Sequence, residues 1–512
     1  MNDTSRVLDR RTAMATVALA LLLGVFAMND VPMGVFQDDG HYLILARALA
    51  LGDGYHYVNL PGAPAATHFP PGYPLLLAPL WWIAPRFPAN VAFFKLVNVV
   101  LLPVVAIAIR AVARRRGRLG PLAASAVALA SVASVPVLFL NGLLFSETAF
   151  MAALFGLLLV LDDVVADDAA PTVRTLILTG VAIGAVTMLR TVGVALLPAA
   201  LAVPLMRRRW RDAALLLVGA LLLLAPWQTW ASAHARAVPD AIVGAYGGYG
   251  PWLAAAWRGG GLAFMAGVLA ENLRGLLIPL TLFGLAQAPA LVKGLVVAAL
   301  VALAAAGAHA LWPRARVMLL FLIPYGALLL AWPFPPDRFL WPLWPIAILL
   351  VTAGVVALGA PSSSTRVRYA ARAVGAVLAT LFVVWHARTW PGRSWESGER
   401  SMAHMGLAAA SVAANLPREG LVASDQDAMV HLYAARPAVP LLALTAEQHV
   451  RPRTDEELAG QVQGVLDAYR PRWVIVAQQE SLRAASILVN RGRLKLLGAD
   501  TSGVLVYDVV RP

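Results

Sequence analysis

Long apolar runs alternate with short polar or arginine-bearing loops over roughly the first three quarters of the chain. Most runs are about 20 residues long, the length that an α-helix needs to cross the hydrocarbon core of a bilayer. The pattern predicts about eleven transmembrane helices. These lie near residues 12–29, 91–113, 122–140, 147–160, 213–230, 291–311, 317–332 and 339–358, in a last run that ends near 386, and in two short spans within 175–206 that break at Arg190.

Two segments interrupt this regular pattern. Residues 30–90 are too long for a turn and too apolar for a flexible linker, so we expect short helices near 42–51 and 74–83 that lie along the membrane surface. Residues 264–286 are apolar but contain Glu271, Asn272, Arg274 and Pro279, which predicts a surface-lying or re-entrant segment.

The pattern changes after Arg388, where the composition becomes that of a soluble domain. Residues 455–469 have helical periodicity, and Thr454 with Glu457 forms a capping box at their start. Alternating apolar residues predict strands near 421–425, 473–477 and 504–507. We therefore expect a membrane domain and a small α/β domain, over residues 1–387 and 388–512.

Composition agrees with a polytopic membrane protein. The 512 residues are 60% hydrophobic and 13% charged, with a mean hydropathy of +0.71. A soluble protein carries about twice that charged fraction. The net charge of +13 reflects arginines in short loops, so topology explains it better than a nucleic-acid partner. The absence of cysteine excludes disulfides and thiolate metal sites.

Charge near the spans predicts the orientation of the chain. We expect the protein in a cell membrane, plasma or inner. Arg6, Arg10 and Arg11 precede the first run and place the N-terminus on the cytoplasmic side. The run lacks a small-residue cleavage site and is interpreted as a retained span. Residues 30–90 and the C-terminal domain then lie outside the cell membrane, whereas Asp162, Asp163, Asp167 and Asp168 form an inner loop.

An acidic pair directly follows the first span. Asp38 and Asp39 are expected just outside the membrane, where carboxylates are costly and usually functional. Because like charges so close raise at least one pKa, Asp38 is a candidate general base. The alternative is that either residue caps the following helix.

Other residues could complete a site around this pair. Arg338 and Arg190 suit a phosphate, because guanidinium is always charged and binds in a bidentate manner; the alternative is an interfacial arginine. Glu147 is a site carboxylate or a helix-start residue. Two histidines, His41 and His68, could assist proton transfer or bind a metal, but their spacing matches no metal motif, and a packed or solvated histidine is the alternative.

Five short motifs follow one another between Asp38 and about Pro345. The motifs are Asp38-Asp39-Gly40-His41-Tyr42 with Ala46 and Gly52, then residues 68–78 with Pro-Pro-Gly-Tyr-Pro, Phe145-Ser146-Glu147, Met188-Leu189-Arg190, and residues 337–342 with Asp-Arg-Phe-Leu-Trp-Pro.

In this order the motifs resemble those of GT-C membrane glycosyltransferases, particularly the lipid A aminoarabinose transferase and protein O-mannosyltransferase families. The resemblance implies inverting transfer of a sugar from a polyprenyl-phosphate donor to a protein, glycolipid or cell-wall glycan outside the membrane. It also implies Asp38 as base and Arg338 near the donor phosphate. Some members bind a divalent metal such as Mg or Mn in the acidic first loop, so Asp38 and Asp39 are the metal candidates here.

Two alternatives belong to other classes of function. A transporter or flippase for lipid-linked sugar predicts ionisable residues near the bilayer midplane. Here most of the notable charges lie at outer helix ends and in loops, which favours the enzyme. The second alternative is an inactive protein with the same fold. Thr191 and Phe339 are compatible with it, because they stand where the family's motifs usually have proline and tyrosine, whereas the intact Asp38 opposes it.

Overall fold

The structure is a computed structural model that describes residues 3–166, 171–391, 393 and 396–511. Asp167 and Asp168 of the expected acidic loop lie outside the described residues. Helices predominate in the first 389 residues: α1 (Asp3–Ala27), α2 (Asp38–Leu51), α3 (Gly72–Ile83), α4 (Val91–Arg115), α5 (Pro121–Val132), α6 (Val135–Gly142), α7 (Glu147–Ala166), α8 (Val173–Leu189), α9 (Leu196–Met206), α10 (Trp210–Ala233), α11 (Val243–Tyr246), α12 (Tyr249–Gly275), α13 (Ala290–Leu311), α14 (Arg316–Ala331), α15 (Asp337–Leu340), α16 (Trp344–Leu358) and α17 (Thr365–Thr389).

The helices make the chain a multi-pass membrane protein. Within the described ranges, eight helices are long and apolar enough to cross a bilayer, and α5 with α6, bent by 57°, forms a ninth if the pair is one span. The eleven transmembrane helices expected from the sequence differ from this set in two ways. They include α8, Thr191–Met206 and α14, which are shorter, and they omit Tyr249–Phe283, a candidate span of 35 residues.

The acidic residues that follow the fourth expected span extend that helix. Asp162 and Asp163 lie in α7, which continues to Ala166, so the sequence places the start of the inner loop too early. Asp163 pairs with Arg115 and Arg116 at 2.6 Å. These ion pairs with the end of α4 neutralise a carboxylate that would otherwise disfavour helix continuation here.

The break between α8 and α9 is where the sequence places it. Arg190 has an extended backbone, with φ −150° and ψ 130°, and ends α8. A 3₁₀ segment, Thr191–Ala195, then leads into α9. The break turns Arg190 away from the helix axis, and its side chain is therefore available to a neighbouring site.

The outer segment, residues 30–90, contains the two expected helices, α2 and α3. Lys95 of α4 anchors its start: Nζ donates to the backbone oxygens of Asn29 and Val31, at 3.0 and 2.7 Å, and to the Asn29 side chain at 2.6 Å. These bonds compensate an ammonium group that is almost fully buried. The chain therefore leaves α1 in a fixed direction.

The C-terminal domain contains a five-stranded sheet of order β2-β1-β3-β5-β4. Strand β1 is parallel to β2 and β3, whereas β5 is antiparallel to β3 and β4. Three strands and α20, with its capping box, were expected from the sequence; β2 and β4 were not. The elements are α18 (Ser397–Asn415), β1 (Val422–Ser424), α19 (Asp427–Ala434), β2 (Ala438–Pro440), α20 (Asp455–Tyr469), β3 (Trp473–Val476), α21 (Gln479–Asn490), β4 (Leu494–Ala499) and β5 (Leu505–Val509).

The sheet and the outer segment share one hydrophobic core. Side chains of α2 and α3 pack in the same buried cluster as side chains of β1, β3 and α20. Hydrogen bonds join them as well: the Ala438 amide donates to the Asn59 carbonyl at 3.0 Å, and the Met33 amide donates to the Tyr433 side-chain hydroxyl at 3.0 Å. The outer segment is therefore positioned by the C-terminal domain, and the division after residue 387 stays a prediction.

Close helix packing in the membrane part gives a first testable prediction. A Cβ at Gly307 of α13 would collide with the Leu350 carbonyl of α16. We expect Gly307→Leu to separate the two helices and lower the thermal midpoint by roughly 5 °C or more. Gly294→Leu on the same helix faces open space and is the control. Fluorescence-detected size exclusion after heating measures both; equal midpoints would contradict this packing.

Candidate active site

A cavity of about 210 Å³ lies between α2, the α8–α9 break and the α14–α15 connection. We call it the central cavity. Its wall has two distinct parts. One end carries polar side chains, Asp38, Tyr42, His68, Arg190 and Arg338, and the rest is mostly apolar, with Leu189, Val192, Val194, Leu328, Leu329, Trp332, Phe334 and Phe339.

Four charged side chains form a continuous series of ion pairs at the polar end. Arg338 Nη1 donates to Asp38 Oδ2 at 2.6 Å, and its Nε donates to Glu147 Oε1 at 2.5 Å. Arg190 Nη1 lies 2.6 Å from the same Glu147 oxygen. The two guanidinium groups balance the two carboxylates, so the group is neutral as a whole. Because Arg338 holds both carboxylates, moving one member disturbs the others.

Burial differs along this series. The Glu147 side chain is 1% exposed and lies behind the cavity wall, whereas Asp38 and Arg338 are 26% and 22% exposed and line the cavity. Asp38 begins α2 and Glu147 begins α7, positions where a helix dipole favours negative charge. Glu147 is thus the buried anchor, and Asp38 with Arg338 is the part that a ligand can reach.

Aromatic rings and hydroxyls support the two guanidinium groups. Arg338 stacks over the Phe145 ring at 4.0 Å, and Arg190 lies 5.4 Å from the Phe339 ring centre. Ser146 Oγ accepts a hydrogen bond from Arg190 at 3.2 Å and is 3.1 Å from the Tyr42 hydroxyl. Burial raises the pKa of Tyr42 above its usual value, so its hydroxyl stays neutral. Tyr42 therefore fixes the Ser146 hydroxyl against the charged group.

Asp39 occupies a different environment from its neighbour. Its oxygens accept from the backbone amides of Gly34 and Phe36, at 2.7 and 3.1 Å, and its side chain is fully buried. Burial raises its pKa to about 6 despite these bonds. Successive residues on a helix point about 100° apart, so Asp39 faces the preceding loop while Asp38 faces the cavity. Asp39 shapes the loop that carries Asp38.

The two histidines also differ in environment, as Asp38 and Asp39 do: one lines the cavity and the other lies behind it. His68 lines the central cavity, and its Nδ1 lies 2.8 Å from the Gly247 carbonyl, so Nδ1 carries the proton and Nε2 is the acceptor. Burial lowers its pKa, opposed by the charge of Asp38. His41 lies behind the cavity, 4.4 Å from the Tyr246 ring, and burial lowers its pKa to about 3. Of the two, only His68 can meet a ligand there.

The residues around Asp38 do not fit a divalent metal. Both Asp39 oxygens are engaged by backbone amides, and Asp38 is paired with Arg338, whose charge repels a cation. Nor does the described part of the chain contain any group of three or more His, Cys, Asp or Glu residues that could hold an ion.

The sequence missed several residues that form the cavity. Trp332 was the end of the predicted span 317–332, Phe334 lay in the loop after it, and Ser146 and Phe145 only flanked Glu147. The structure places Trp332 5.0 Å from the Tyr249 ring and 5.9 Å from that of Trp252. The aromatic residues between 246 and 257 were a signal for this wall, although an interfacial belt explained them equally well.

Comparison with known proteins bears on the fold. No protein-family model and no curated protein matches the sequence. Among solved structures, ArnT from Cupriavidus metallidurans bound to undecaprenyl phosphate is 14% identical, with a TM-score of 0.51 over 97% of this chain and 98% of ArnT. The Archaeoglobus fulgidus oligosaccharyltransferase tethered with an acceptor peptide is 11% identical, with a TM-score of 0.51 over 98% of this chain and 74% of the enzyme. Its complex with Zn and sulfate is 12% identical, with a TM-score of 0.52 over 96% and 73%.

The fold is therefore that of a polytopic membrane protein with an α/β domain at its C-terminal end. The chain shares this architecture with ArnT and with the archaeal oligosaccharyltransferase. At these identities the likeness shows architecture, so function has to be argued from the site.

Removing the anchor carboxylate tests the charged group. Glu147→Gln leaves Arg190 and Arg338 opposed by Asp38 alone, so we expect a loss of about 3 kcal/mol or more in stability. Glu271→Gln is the control, because its pair with Arg274 is exposed. Thermal unfolding in detergent measures both variants. A midpoint for Glu147→Gln equal to that of Glu271→Gln would show that the buried pairs contribute little.

Proposed function

We propose that this protein transfers a sugar, with inversion, from a polyprenyl-phosphate-linked donor to an extracytoplasmic acceptor that is a protein, a glycolipid or a cell-wall glycan. One observation carries the proposal. Asp38 and two arginines lie together in a cavity whose remaining wall is mostly apolar. Such a cavity suits a ligand with a charged head and a hydrocarbon tail.

The cavity accounts for both parts of that donor. Leu328, Leu329 and Trp332 offer apolar contact to an isoprenoid chain, while Arg338 and Arg190 offer N–H groups to a phosphate. Guanidinium suits this task because it stays protonated and binds two oxygens at once. The undecaprenyl phosphate bound to ArnT is a ligand of this chemical kind, in a protein of the same fold.

The chemistry follows from the positions of Asp38 and the arginines. Asp38 takes the proton from an acceptor hydroxyl, and the oxygen attacks the anomeric carbon on the face opposite the phosphate. The bond between that carbon and the phosphate oxygen breaks, and the electron pair leaves with polyprenyl phosphate. Arg338 and Arg190 stabilise the leaving charge. The product is an inverted glycoside, and the proton on Asp38 passes to water.

The ion pair between Asp38 and Arg338 links donor binding to the base. A phosphate that accepts from Arg338 Nη1 competes with Asp38, which accepts from the same nitrogen at 2.6 Å. Glu147 holds Arg338 through Nε, so the guanidinium stays in place while its partner changes. Asp38 then turns to the acceptor. Donor binding would thus precede activation of the base.

We also propose that the protein lies in a cell membrane with its active site on the outer side. The C-terminal domain and the charged end of the cavity face the outside of a cell membrane, plasma or inner, and the N-terminus lies in the cytoplasm. Arg6, Arg10 and Arg11 at the start of α1, and Arg114 to Arg116 near the end of α4, support this orientation, because cytoplasmic loops are rich in arginine. Residues 1–387 would hold the donor, and residues 388–512 would complete the acceptor side.

Sugar transfer in reconstituted membranes tests the base. We expect Asp38→Asn to lower transfer from a panel of radiolabelled polyprenyl-phosphate sugars to an envelope fraction at least about 10²-fold, because an amide cannot take the proton. Asp53→Asn, an exposed carboxylate of the same outer segment, should retain activity. Wild-type turnover in Asp38→Asn would remove Asp38 from this role, and labelled lipid crossing the bilayer without transfer would favour a flippase.

Binding of the donor phosphate is a separate prediction. Arg338→Lys keeps the charge but loses the fork that contacts Glu147 through Nε while Nη1 binds either Asp38 or a phosphate. We expect its Kd for radiolabelled undecaprenyl phosphate to rise about tenfold. Arg258→Lys, an exposed residue of α12, is the control. Unchanged affinity in Arg338→Lys would place the phosphate elsewhere.

A further inference from the structure

The order of the strands creates a crevice at one edge of the C-terminal sheet. The chain passes from β1 through α19 to β2 on one side, then through α20 back across β1 to β3 on the other. The connections that follow β1 and β3 therefore leave in opposite directions, although the two strands are adjacent and parallel. In open sheets of this kind, ligands bind outside the carboxyl ends of the strands at such a reversal.

A cavity of about 270 Å³ lies at this position. We call it the sheet-edge cavity. Residues that follow β1 (Asp425 to Ala428) and β3 (Gln478 and Glu480) line it, and the outer segment closes it with residues 34–37. It is formed only where the two parts of the chain meet.

The sheet-edge cavity adjoins the central cavity. Leu444 lines both, and the adjacent residues Gln37 and Asp38 line one each. Gln37 has φ 60° and ψ −59°, and the Asp38 amide donates to the Phe36 carbonyl at 2.5 Å. This is a γ-turn with positive φ, a rare and strained conformation outside glycine. The turn directs the two side chains into two neighbouring cavities.

The charge of the sheet-edge cavity excludes an anionic ligand. Three carboxylates line it, from Asp425, Asp427 and Glu480, against the single guanidinium of Arg453. Arg453 is itself engaged, because it pairs with Glu480 at 2.7 Å and donates to Gln461 at 2.8 Å. A phosphate or carboxylate would meet net negative charge here, although the crevice lies at helix starts that commonly bind anions.

One buried carboxylate at the cavity has unused hydrogen-bonding capacity. Asp427 is fully buried, and its Oδ2 accepts from the Tyr246 hydroxyl. Gln37 lies near it, but within the described part of the chain Oδ1 has no hydrogen bond of ordinary geometry. A buried acceptor without a donor is costly, but Oδ1 is itself closed to solvent, so the polar groups that a ligand meets directly are those of the cavity rim. The amides of Gln37, Gln426 and Gln478 add both donors and acceptors.

We propose that the sheet-edge cavity is an acceptor subsite that binds an uncharged polyhydroxyl group, the saccharide part of a glycan or glycolipid. The inference rests on the proposed function and narrows its acceptor to a carbohydrate. A hydroxyl group that reaches past Gln37 and Leu444 comes to Asp38. A peptide is less suited, because sheets bind peptides along an exposed strand edge, and this cavity lies at strand ends lined by polar side chains.

Direct binding tests the subsite independently of catalysis. Saturation-transfer NMR on the full chain in nanodiscs would use neutral tetrasaccharides of glucose, mannose, galactose and N-acetylglucosamine, with a capped threonine tripeptide and inorganic phosphate for comparison. We expect at least one tetrasaccharide to bind. Its Kd should rise about tenfold in Gln478→Ala and in Glu480→Gln, two rim residues exposed enough to change without unfolding the domain.

Matched variants on α20 provide the controls. Gln463→Ala and Glu456→Gln remove an exposed amide and an exposed ion-paired carboxylate outside the cavity, and they should leave the Kd unchanged. The proposal is overturned if no tetrasaccharide binds, if the rim variants bind like the controls, or if only the tripeptide or phosphate binds.

Kinetics separate this inference from the proposed function. With saturating donor, Gln478→Ala should raise the KM for the acceptor about tenfold and leave the KM for the donor unchanged. Transfer with an unchanged acceptor KM would overturn the subsite and leave the transferase intact. Saccharide binding that depends on Gln478, with no transfer from any donor, would uphold the binding site and overturn the proposed reaction.

Discussion

The structure depends on one buried carboxylate held between two guanidinium groups. Glu147 is almost fully removed from solvent, and burying a charge is stabilising only if partners replace water. Arg190 comes from the break after α8, and Arg338 comes from α15, so the compensation requires three distant parts of the chain to converge. Arg338 then reaches Asp38 on α2. The same ion pairs that compensate the buried charge therefore also form the polar end of the central cavity. A substitution that changes these pairs would alter both the stability of the fold and the positions of Asp38 and Arg338.

The C-terminal domain extends this arrangement to the outer segment. Tyr246 connects Asn59 of the outer segment to Asp427 of α19 through its hydroxyl, and the surrounding apolar side chains form one core. A domain attached only by a flexible linker could not hold the γ-turn at Gln37 against its strain. Here Asp39 binds the backbone before the turn and the sheet packs beyond it. The position of Asp38 thus depends on residues nearly 400 positions away in the sequence.

The sequence predicted the elements better than their relations. Capping residues, periodicity and the break at Arg190 are local signals, so α2, α8, α20 and three strands could be anticipated from them. The order of the motifs also suggested that Asp38, Glu147, Arg190 and Arg338 belong to one site. The separation of Asp38 from Asp39 could be inferred only once the start of α2 was known. The wall formed by Trp332 and Phe334 could not, because loop residues acquire neighbours through tertiary packing alone. The number of spans depends on helix length for a related reason: α14 and α8 are short apolar helices, and Tyr249–Phe283 contains polar residues within a long apolar segment.

The γ-turn at Gln37 gives the two cavities a common physical basis. In an ordinary helix start the residue before Asp38 would have extended backbone and its side chain would cap the helix. Gln37 makes no such cap, and its positive φ sends the side chain to the sheet edge instead. The strain is maintained by the Asp39 hydrogen bonds within the outer segment and by packing against α19, and the packing is lost if the domains separate. Because that strain costs free energy, its retention favours a role for the two side chains that the turn directs into the two cavities. An amide that contacts the acceptor saccharide, next to the carboxylate that takes its proton, is the role that agrees with the charge and the shape of both cavities.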